Sequence, residues 1–362
     1  MSHRKLADSP ITQAAELRAR WKEIAGNAKP SPFPSDVARE LGVSEGELLS
    51  SRVGYDVHRL RPEWNDLLAS LSALGTVRTV TRNRHAVIEK VGRYPKFEPF
   101  RVNSMFVGKD IDLRLVLAEW SFALAVETPG GKRGTPVRGL QFFGHDGSAK
   151  HKLFLREESD TEQFYELIAR FRHEDQSVGH TLAPVEEQPA PTQRIDRAAF
   201  LAGWERLEET HHFFTLLREH GLTRPQAMAL AEGRFTRRVS ITSARSLIEA
   251  VSAARLPVLI FVGNPGCLQI HKGVVRNTAD WQGWFNVLDS DFELHLQEAG
   301  IADAWVVERP TSAGPIRSLE LFDAEGRDIA SIFGVRRQGR RQSEAWTDLV
   351  GALPDRATGE GE

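Results

Sequence analysis

The chain repeats itself once, and this duplication limits the folds that it can adopt. The two copies are offset by 181 positions, so that Asn83 corresponds to Asn264. From Asp110 to Glu127 the first copy shares seven identical residues in 18 ungapped positions with the second. Solenoid repeats run to roughly 20–50 residues, so a spacing this long indicates two related domains. Residues that differ at equivalent positions are candidates for a division of labour between the copies.

Composition excludes several classes of protein. The 362 residues are 41% hydrophobic and 27% charged, which is typical of a globular protein with room for two cores. A net charge of -2 gives no general attraction to nucleic acid or to anionic membranes. The longest apolar run, residues 256–262, is too short for a bilayer, and the N-terminus lacks the apolar stretch of a signal peptide. The single cysteine, Cys267, excludes an internal disulfide and a cysteine-based zinc cluster. We therefore expect a cytoplasmic protein without membrane insertion.

A change of composition marks the boundary between the repeats. Residues 174–194 are rich in proline, glutamine and glutamate, so we expect an extended, semi-rigid linker there. The sequence thus predicts an N-terminal repeat over residues 1–173 and a C-terminal repeat over residues 195–362. We expect the last residues, 355–362, to fray.

Each repeat is predicted to begin with helices. Further helices are expected near residues 64–74 and 244–254. A glycine that can end one helix is followed in both copies by a capping box that can open the next. These residues are Gly42, Ser44 and Glu47 in the first copy and Gly221, Thr223 and Gln226 in the second.

Strands are predicted to follow the helices. Leu113 and Leu115 share one face of a strand, and Asp112 and Arg114 share the other. Helices followed by hairpin-linked strands indicate an α+β fold, a tandem duplication of a unit with N-terminal helices and a mainly antiparallel β-sheet. The other predicted short strands are residues 121–128, 137–143, 151–156, 302–308, 316–322 and 328–335.

The segment from Trp204 to His220 offers the best candidate for chemistry. If it is one helix, Trp204, Leu207, His211, Phe214 and Leu217 form a single apolar stripe. His211 would then point into the apolar side, with His212 about 100° around the axis. A neutral imidazole beside phenylalanine suits a haem iron, but periodicity alone favours a core histidine that is hydrogen-bonded to a neighbour.

Several segments, spread from about Trp21 to Leu353, together resemble the bacterial cytoplasmic hemin-transport and hemin-degrading proteins of the HemS/HmuS type. The resemblance implies two α+β repeats and a haem (iron protoporphyrin IX) held in a cleft that involves both. The segments that carry it are residues 112–115 (DLRL), 210–218 (THHFFTLLR), 222–227 (LTRPQA), 263–270 (GNPGCLQI) and 311–322 (TSAGPIRSLELF).

The resemblance also implies roles for individual residues. The family's proximal histidine falls on His211, with His212 as the alternative iron ligand. The arginine on the opposite haem face falls on Arg114, which would hydrogen-bond an oxygen ligand of the iron and serve in catalysis; its alternative role is a solvated charge on a strand face. Glu208 is a candidate acceptor for the second ring nitrogen of His211. The candidate partners of the haem propionates are Arg224, Arg309 and Arg336.

Three functions remain open from the sequence. The resemblance implies a protein that handles imported haem and either degrades the porphyrin oxidatively with release of iron or delivers the haem, with a haem ABC transporter or a separate oxygenase as possible partners. A different function is suggested by residues 36–49, which read like a helix-turn-helix. Glu45 and Glu47 lie where contacts to DNA favour arginine and lysine, so nucleic acid is not expected as a partner. His295 occupies the second-copy equivalent of Arg114, and we expect it to be a sheet-face histidine.

Overall fold

The computed structural model describes residues 10–27, 32–128, 135–180, 182, 195–337 and 339–357. Most of the predicted linker and the last five residues lie outside these ranges. The chain divides into two compact units. The first contains residues 1–81, 90–186 and 265–267, and the second contains residues 82–89, 187–264 and 268–362. Each unit therefore includes a short segment from the other half of the sequence.

The described elements follow the same order in both copies: three helices, a strand, a helix, eight strands and a closing helix. This order confirms the predicted duplication and the α+β class. The helices are α1 (Pro10–Asn27), α2 (Pro34–Leu41), α3 (Glu45–Ser50), α4 (Trp64–Ser70), α5 (Thr161–Phe171), α6 (Arg197–Glu205), α7 (His212–Glu219), α8 (Arg224–Leu230), α9 (Ser243–Ala253) and α10 (Glu344–Gly351). The strands of the first copy are β1 (Val57–Leu60), β2 (Gly75–Arg82), β3 (Ala86–Arg93), β4 (Phe97–Glu98), β5 (Ser104–Phe106), β6 (Leu113–Leu115), β7 (Phe122–Thr128), β8 (Val137–Phe143) and β9 (Ala149–Ser159). Those of the second are β10 (Thr236–Val239), β11 (Val258–Asn264), β12 (Cys267–Gly273), β13 (Thr278–Trp281), β14 (Trp284–Leu288), β15 (Phe292–Leu296), β16 (Asp303–Arg309), β17 (Ile316–Phe322) and β18 (Asp328–Gly334).

In the first unit, strands β1, β7, β8, β9 and β2 are neighbours in that order and pair in antiparallel fashion. Alternate residues of β7 enter two different cores because the sheet is covered on both faces. Ala123 and Ala125 pack in the core that includes residues of α4 and α5, whereas Leu124 and Val126 pack in the core that includes residues of α1 to α3.

The second unit repeats this arrangement with strands β10, β16, β17, β18 and β11. Ala304 and Val306 of β16 enter the core built with α9 and α10. Trp305 and Val307 of the same strand enter the core built with α6, α7 and α8. The start of α7, where the candidate histidines lie, is therefore fixed to the sheet through this second core.

The predicted helix caps are confirmed. Gly42 ends α2 with φ 68°, a conformation that favours glycine, and Gly221 has φ 61°. Ser44 and Glu47 form a complete capping box at α3, as do Thr223 and Gln226 at α8. Because a capping box uses only residues three apart, it can be recognised without knowledge of the tertiary fold.

Residues 36–49 form two short helices, α2 and α3, joined by a turn, but α3 lacks the exposed surface of a recognition helix. The would-be recognition helix, α3, is only six residues long, and Leu48 and Leu49 are completely buried. Glu45 is also buried and makes an ion pair with Lys152, at 2.6 Å. A helix whose faces are already packed in this way cannot enter a DNA groove. Among the described residues, no helix combines the length and the apolar character needed to cross a bilayer.

Candidate functional site

The candidate histidines lie at a break between two helices, and the single helix predicted from Trp204 to His220 is wrong. Helix α6 ends at Glu205, the chain turns between Arg206 and His211, and α7 begins at His212. The break shifts the buried face of α7 by one residue relative to the predicted stripe: Phe213 is buried, whereas Phe214 is 60% exposed. His211 and His212 are both exposed, so the predicted burial of His211 in an apolar stripe is wrong as well.

The beginning of α7 is anchored by Phe213. Its ring packs against the ring of Trp204, with centroids 4.7 Å apart, and against the guanidinium group of Arg309, 4.2 Å from the ring centroid. Trp204 is completely buried, and its indole N–H donates to the carbonyl of Glu308 at 2.9 Å. A buried aromatic ring held on two sides leaves the adjacent backbone little freedom. The imidazole of His211 is therefore exposed to solvent on a backbone segment that the packing of Phe213 holds in place.

The loop of residues 311–314, which belongs to one of the segments that carry the resemblance, holds the turn before His211. The backbone N–H of Ser312 donates to the carbonyl of Glu208 at 3.0 Å. The loop is closed by the hydroxyl of Thr311, which donates to the carbonyl of Gly314 at 2.5 Å. Gly314 has φ 107°, a conformation that side chains rarely permit. Glu208 thus makes a structural contact through its backbone carbonyl, and the predicted role of its carboxylate as acceptor for the second ring nitrogen of His211 stays a prediction.

His211 and Phe214 are three residues apart and lie on the same side of the helix start. The N–H of Phe214 donates to the carbonyl of His211 at 3.3 Å, which places the two residues on one turn. Both side chains are exposed. An exposed imidazole beside an exposed phenyl ring provides one nitrogen ligand and one apolar contact, which is the donor chemistry that an iron porphyrin requires.

Arg224 and Arg309 do not lie in open surface positions. Both guanidinium groups contact the carboxylate of Glu320, which is completely buried, at 2.5 Å. Arg224 also pairs with Asp328 at 2.8 Å, and Arg309 is only 4% exposed. Burial alone would raise the pKa of Glu320, but the two adjacent cations outweigh it and hold that pKa well below its usual range. The predicted contact of these arginines with haem propionates gains no support from the structure, because both guanidinium groups already form ion pairs with carboxylates of the same unit.

Arg336, the third predicted propionate partner, lies just beyond the end of β18. Its side chain is half-buried, and it follows Val335, whose N–H donates to the carbonyl of Pro257. Its role stays a prediction.

Arg114 lies in the first unit, in the middle of β6. Its neighbours Leu113 and Leu115 are buried, and its own side chain is 33% exposed, so the predicted alternation is confirmed. The guanidinium group pairs with Asp112 and also donates to the carbonyl of Leu113 at 3.0 Å. On the adjacent strand β5, Met105 lies directly opposite.

The surface near this strand pair carries apolar side chains. Phe100 and Val102, in the loop before β5, are 54% and 73% exposed, and Val107 just after β5 is 50% exposed. Phe100 also lines an open groove of about 560 Å³ together with Trp64 and Leu117. Exposed apolar side chains of this kind suit a ligand that is flat and apolar.

Cys267, predicted to be a small buried residue, is confirmed as buried in the first unit. It belongs to a polar cluster with Thr81, whose hydroxyl lies 2.9 Å from Nδ1 of His151, and with Tyr94, whose hydroxyl lies 2.7 Å from Nε2 of the same ring. Burial lowers the pKa of His151 to about 3 and raises that of Cys267 to about 12. The cluster keeps a neutral histidine in the core and offers no path to a ligand.

A larger open groove, of about 880 Å³, lies in the second unit and does not include His211. It is rich in arginine, but these side chains are paired with carboxylates, so the groove carries no large excess of positive charge. The pairs are Arg234 with Glu205, Arg237 with Asp355, Arg238 with Asp303, Arg317 with Glu308, and Arg356 with Asp303.

Two α+β repeats, the second of which exposes the imidazoles of His211 and His212 at the start of a helix, define a duplicated protein of the α+β class. The family model described as the haemin-degrading HemS.ChuX domain matches residues 42–171 and again residues 221–353. The chain belongs to this family.

Curated relatives and solved structures agree with this assignment. The chain is 35% identical over 330 residues to the hemin transport protein HemS of Yersinia enterocolitica, covering 90% of this chain and 93% of that protein. It is 34% identical over 327 residues to HmuS of Yersinia pestis, with the same coverage. The structure of holo-PhuS, a heme-binding protein from Pseudomonas aeruginosa, matches with a TM-score of 0.90 and 39% identity, covering 94% of this chain and 99% of that one. The heme degrading enzyme ChuS of Escherichia coli matches with a TM-score of 0.87 and 31% identity over the same shares.

Proposed function

We propose that this protein binds haem through His211 and handles haem after its import. The observation that carries the proposal is the exposed imidazole of His211 beside the exposed ring of Phe214, on a helix start fixed by Phe213 and by the loop of residues 311–314. Two relatives that each match at least 90% of the chain are named as a heme-binding protein and a hemin transport protein.

His211 is better suited to this role than His212. Phe214 lies one turn beyond His211, so a porphyrin held by His211 can cover the exposed phenyl ring and remove it from water. His212 begins α7 next to the buried Phe213, and its one-turn neighbour is the polar Thr215. A flat apolar ligand therefore gains more apolar contact at His211.

Arg114 is proposed to hydrogen-bond an oxygen ligand of the haem iron, which is the role that the family resemblance implies for it. Its guanidinium group is permanently charged and has five N–H donors, of which the contacts with Asp112 and Leu113 use only one nitrogen, Nη1. The remaining donors can stabilise negative charge on a bound ligand. Phe100 and Val102, in the loop before the adjacent strand β5, are exposed, and such side chains can exclude water from an apolar ligand.

The proposed function has two versions: the protein degrades the bound haem, or it delivers the haem intact. In the first, bound haem supplies the iron at which dioxygen and a reductant open the porphyrin ring, and in the second the ring stays intact. A hemin complex should be treated with a reductant in air while the Soret band is followed. Loss of the band with release of carbon monoxide or a bile-type product supports degradation, and ChuS, which is also described as a heme oxygenase, is the precedent among the similar structures. A band that persists unchanged leaves delivery as the function.

Location and partners belong to the same proposal. A cytoplasmic protein of this kind would receive haem from a haem ABC transporter and, in the delivery version, would pass it to a separate oxygenase. Cell fractionation tests the location. Transfer of haem from the loaded protein to an added haem oxygenase, followed by absorbance, tests the delivery partner.

A further inference from the structure

Three side chains with metal-ligating atoms converge on one face of the second unit. Glu293 and His295 lie two residues apart on β15, so they share the strand face that does not enter the core. Glu89 comes from β3, the neighbour of β15 in the sheet. One ligand atom from each residue lies within 4.8 Å of the others, and all three residues are half-buried. The site is thus open enough for an ion to enter and sheltered enough to hold it.

The orientation of the imidazole is fixed by Asn286, which lies directly opposite His295 on β14. The amide nitrogen of Asn286 donates to the carbonyls of Ala279, at 3.2 Å, and of Trp284, at 2.8 Å. Its amide oxygen therefore faces His295 and accepts a hydrogen bond of 2.6 Å from Nδ1. Since a neutral imidazole carries only one N–H, its Nε2 presents a lone pair.

The Nε2 atom lies close to the carboxylate of Glu293. Nε2 of His295 lies 3.7 Å from a carboxylate oxygen of Glu293. A metal ion bound by Nε2 would therefore lie within reach of the carboxylate of Glu293. A histidine whose second nitrogen is held by an amide oxygen is also the arrangement that orients histidine ligands in metal sites.

The duplication gives a contrast for this site. The first-copy counterparts of Glu293 and His295 are Asp112 and Arg114, which neutralise each other as an ion pair. The second copy replaces the permanent cation with a residue that can be neutral and adds the nearby carboxylate of Glu89. The two copies therefore differ in the ligand chemistry that they offer at equivalent positions.

We propose that Glu89, Glu293 and His295 bind a divalent first-row transition metal ion, with Asn286 as a positioning residue. One imidazole nitrogen and two carboxylate oxygens suit ions such as Zn²⁺, Fe²⁺, Mn²⁺ or Co²⁺, which complete their coordination with water. This site is separate from the haem site proposed at His211, because it uses none of the same residues.

The test is a titration of the haem-free protein with Co²⁺, whose visible absorption reports its ligands. We expect the spectrum of a nitrogen- and oxygen-bound ion at one ion per chain. Glu293→Gln and His295→Ala should each weaken the affinity at least tenfold, and Asn286→Ala about 10–100-fold. The control His145→Ala removes an exposed histidine of the first unit and should change nothing. Circular dichroism of each variant verifies folding.

Equal Co²⁺ affinity in the wild type, Glu293→Gln and His295→Ala would overturn the proposal, and so would a wild type that binds no Co²⁺ at millimolar concentration. A hemin titration of Glu293→Gln separates the two proposed sites. We expect this variant to bind hemin normally and to lose Co²⁺ binding. Loss of both hemin and Co²⁺ binding would show that the metal site is not separate from the haem site.

Discussion

The backbone N–H of Ser312 donates a hydrogen bond of 3.0 Å to the carbonyl oxygen of Glu208. This bond connects the loop of residues 311–314 to the turn that ends at His211. The turn is therefore held from the loop side by this bond and from the core side by Phe213. The haem-binding proposal depends on this fixed turn, because a ligand residue on a mobile turn would lose conformational entropy on binding.

Two adjacent phenylalanines should separate haem affinity from stability. Phe214 is exposed, so Phe214→Ala should leave the melting temperature unchanged and weaken hemin binding about tenfold or more, since about 1.5–3 kcal/mol of apolar burial is lost. Phe213 is buried, so Phe213→Ala should cost about 3–5 kcal/mol of unfolding free energy. Hemin titration and urea denaturation measure the two effects. Equal hemin affinity in Phe214→Ala and the wild type would remove this ring from the site.

Arg114→Ala should retain much of the hemin binding but change the absorption spectrum or the rate of any aerobic turnover. We expect the rate to fall about tenfold, equivalent to about 1.4 kcal/mol of lost charge stabilisation. The matched control is Arg93→Ala, which removes an exposed arginine at the end of β3. Spectra and rates that match the wild type in both variants would exclude Arg114 from the haem site.

Glu320→Gln should destabilise the second unit strongly. The variant leaves the guanidinium groups of Arg224 and Arg309 without their shared buried carboxylate, and breaking a buried ion pair costs about 3–5 kcal/mol. The control Glu205→Gln makes the same chemical change in an exposed pair with Arg234 and should cost much less. Urea denaturation followed by tryptophan fluorescence compares them. A similar small loss in both variants would contradict the structural role of the Glu320 cluster.

The stability of the first unit should depend on pH through His151. Burial lowers the pKa of this histidine to about 3, whereas the unfolded chain has a value of about 6.5. Between these pH values the unfolded state binds a proton that the folded state does not, so stability is retained above pH 6.5 and decreases as the pH falls. The slope is about 1.4 kcal/mol per pH unit. Urea denaturation of His151→Gln between pH 7 and pH 4 should show a smaller slope than the wild type, while His145→Gln, an exposed control, keeps the full slope.

The sequence predicted those parts of the fold that depend on near neighbours. The capping boxes at Ser44 and Thr223 require residues only three apart, and the alternation around Arg114 needs only a strand. The assignment of residues 82–89 to the second unit and of residues 265–267 to the first could not be predicted, because it depends on contacts between residues far apart in the chain.

The predicted local structure around His211, a continuous helix, is wrong. The hydrophobic spacing from Trp204 onward fits one continuous helix, but the chain breaks after Glu205. Gly203 was the available signal: a Cβ atom there would lie 2.5 Å from a methyl group of Leu216. The glycine therefore lets α6 and α7 pack closely, and two helices that pack on each other cannot be one helix. The resemblance to a family still identified His211 as the candidate ligand, because it does not depend on which face is buried.

The most direct test of the haem-binding proposal is an absorption titration with hemin of the wild type, His211→Ala and His212→Ala, followed in the Soret region. We expect His211→Ala to lower the affinity at least tenfold, about 1.4 kcal/mol, and to shift the Soret band. His212→Ala should remain close to the wild type. Loss of the wild-type spectrum in His212→Ala, with an unchanged spectrum in His211→Ala, would contradict the assignment of His211 as the iron ligand.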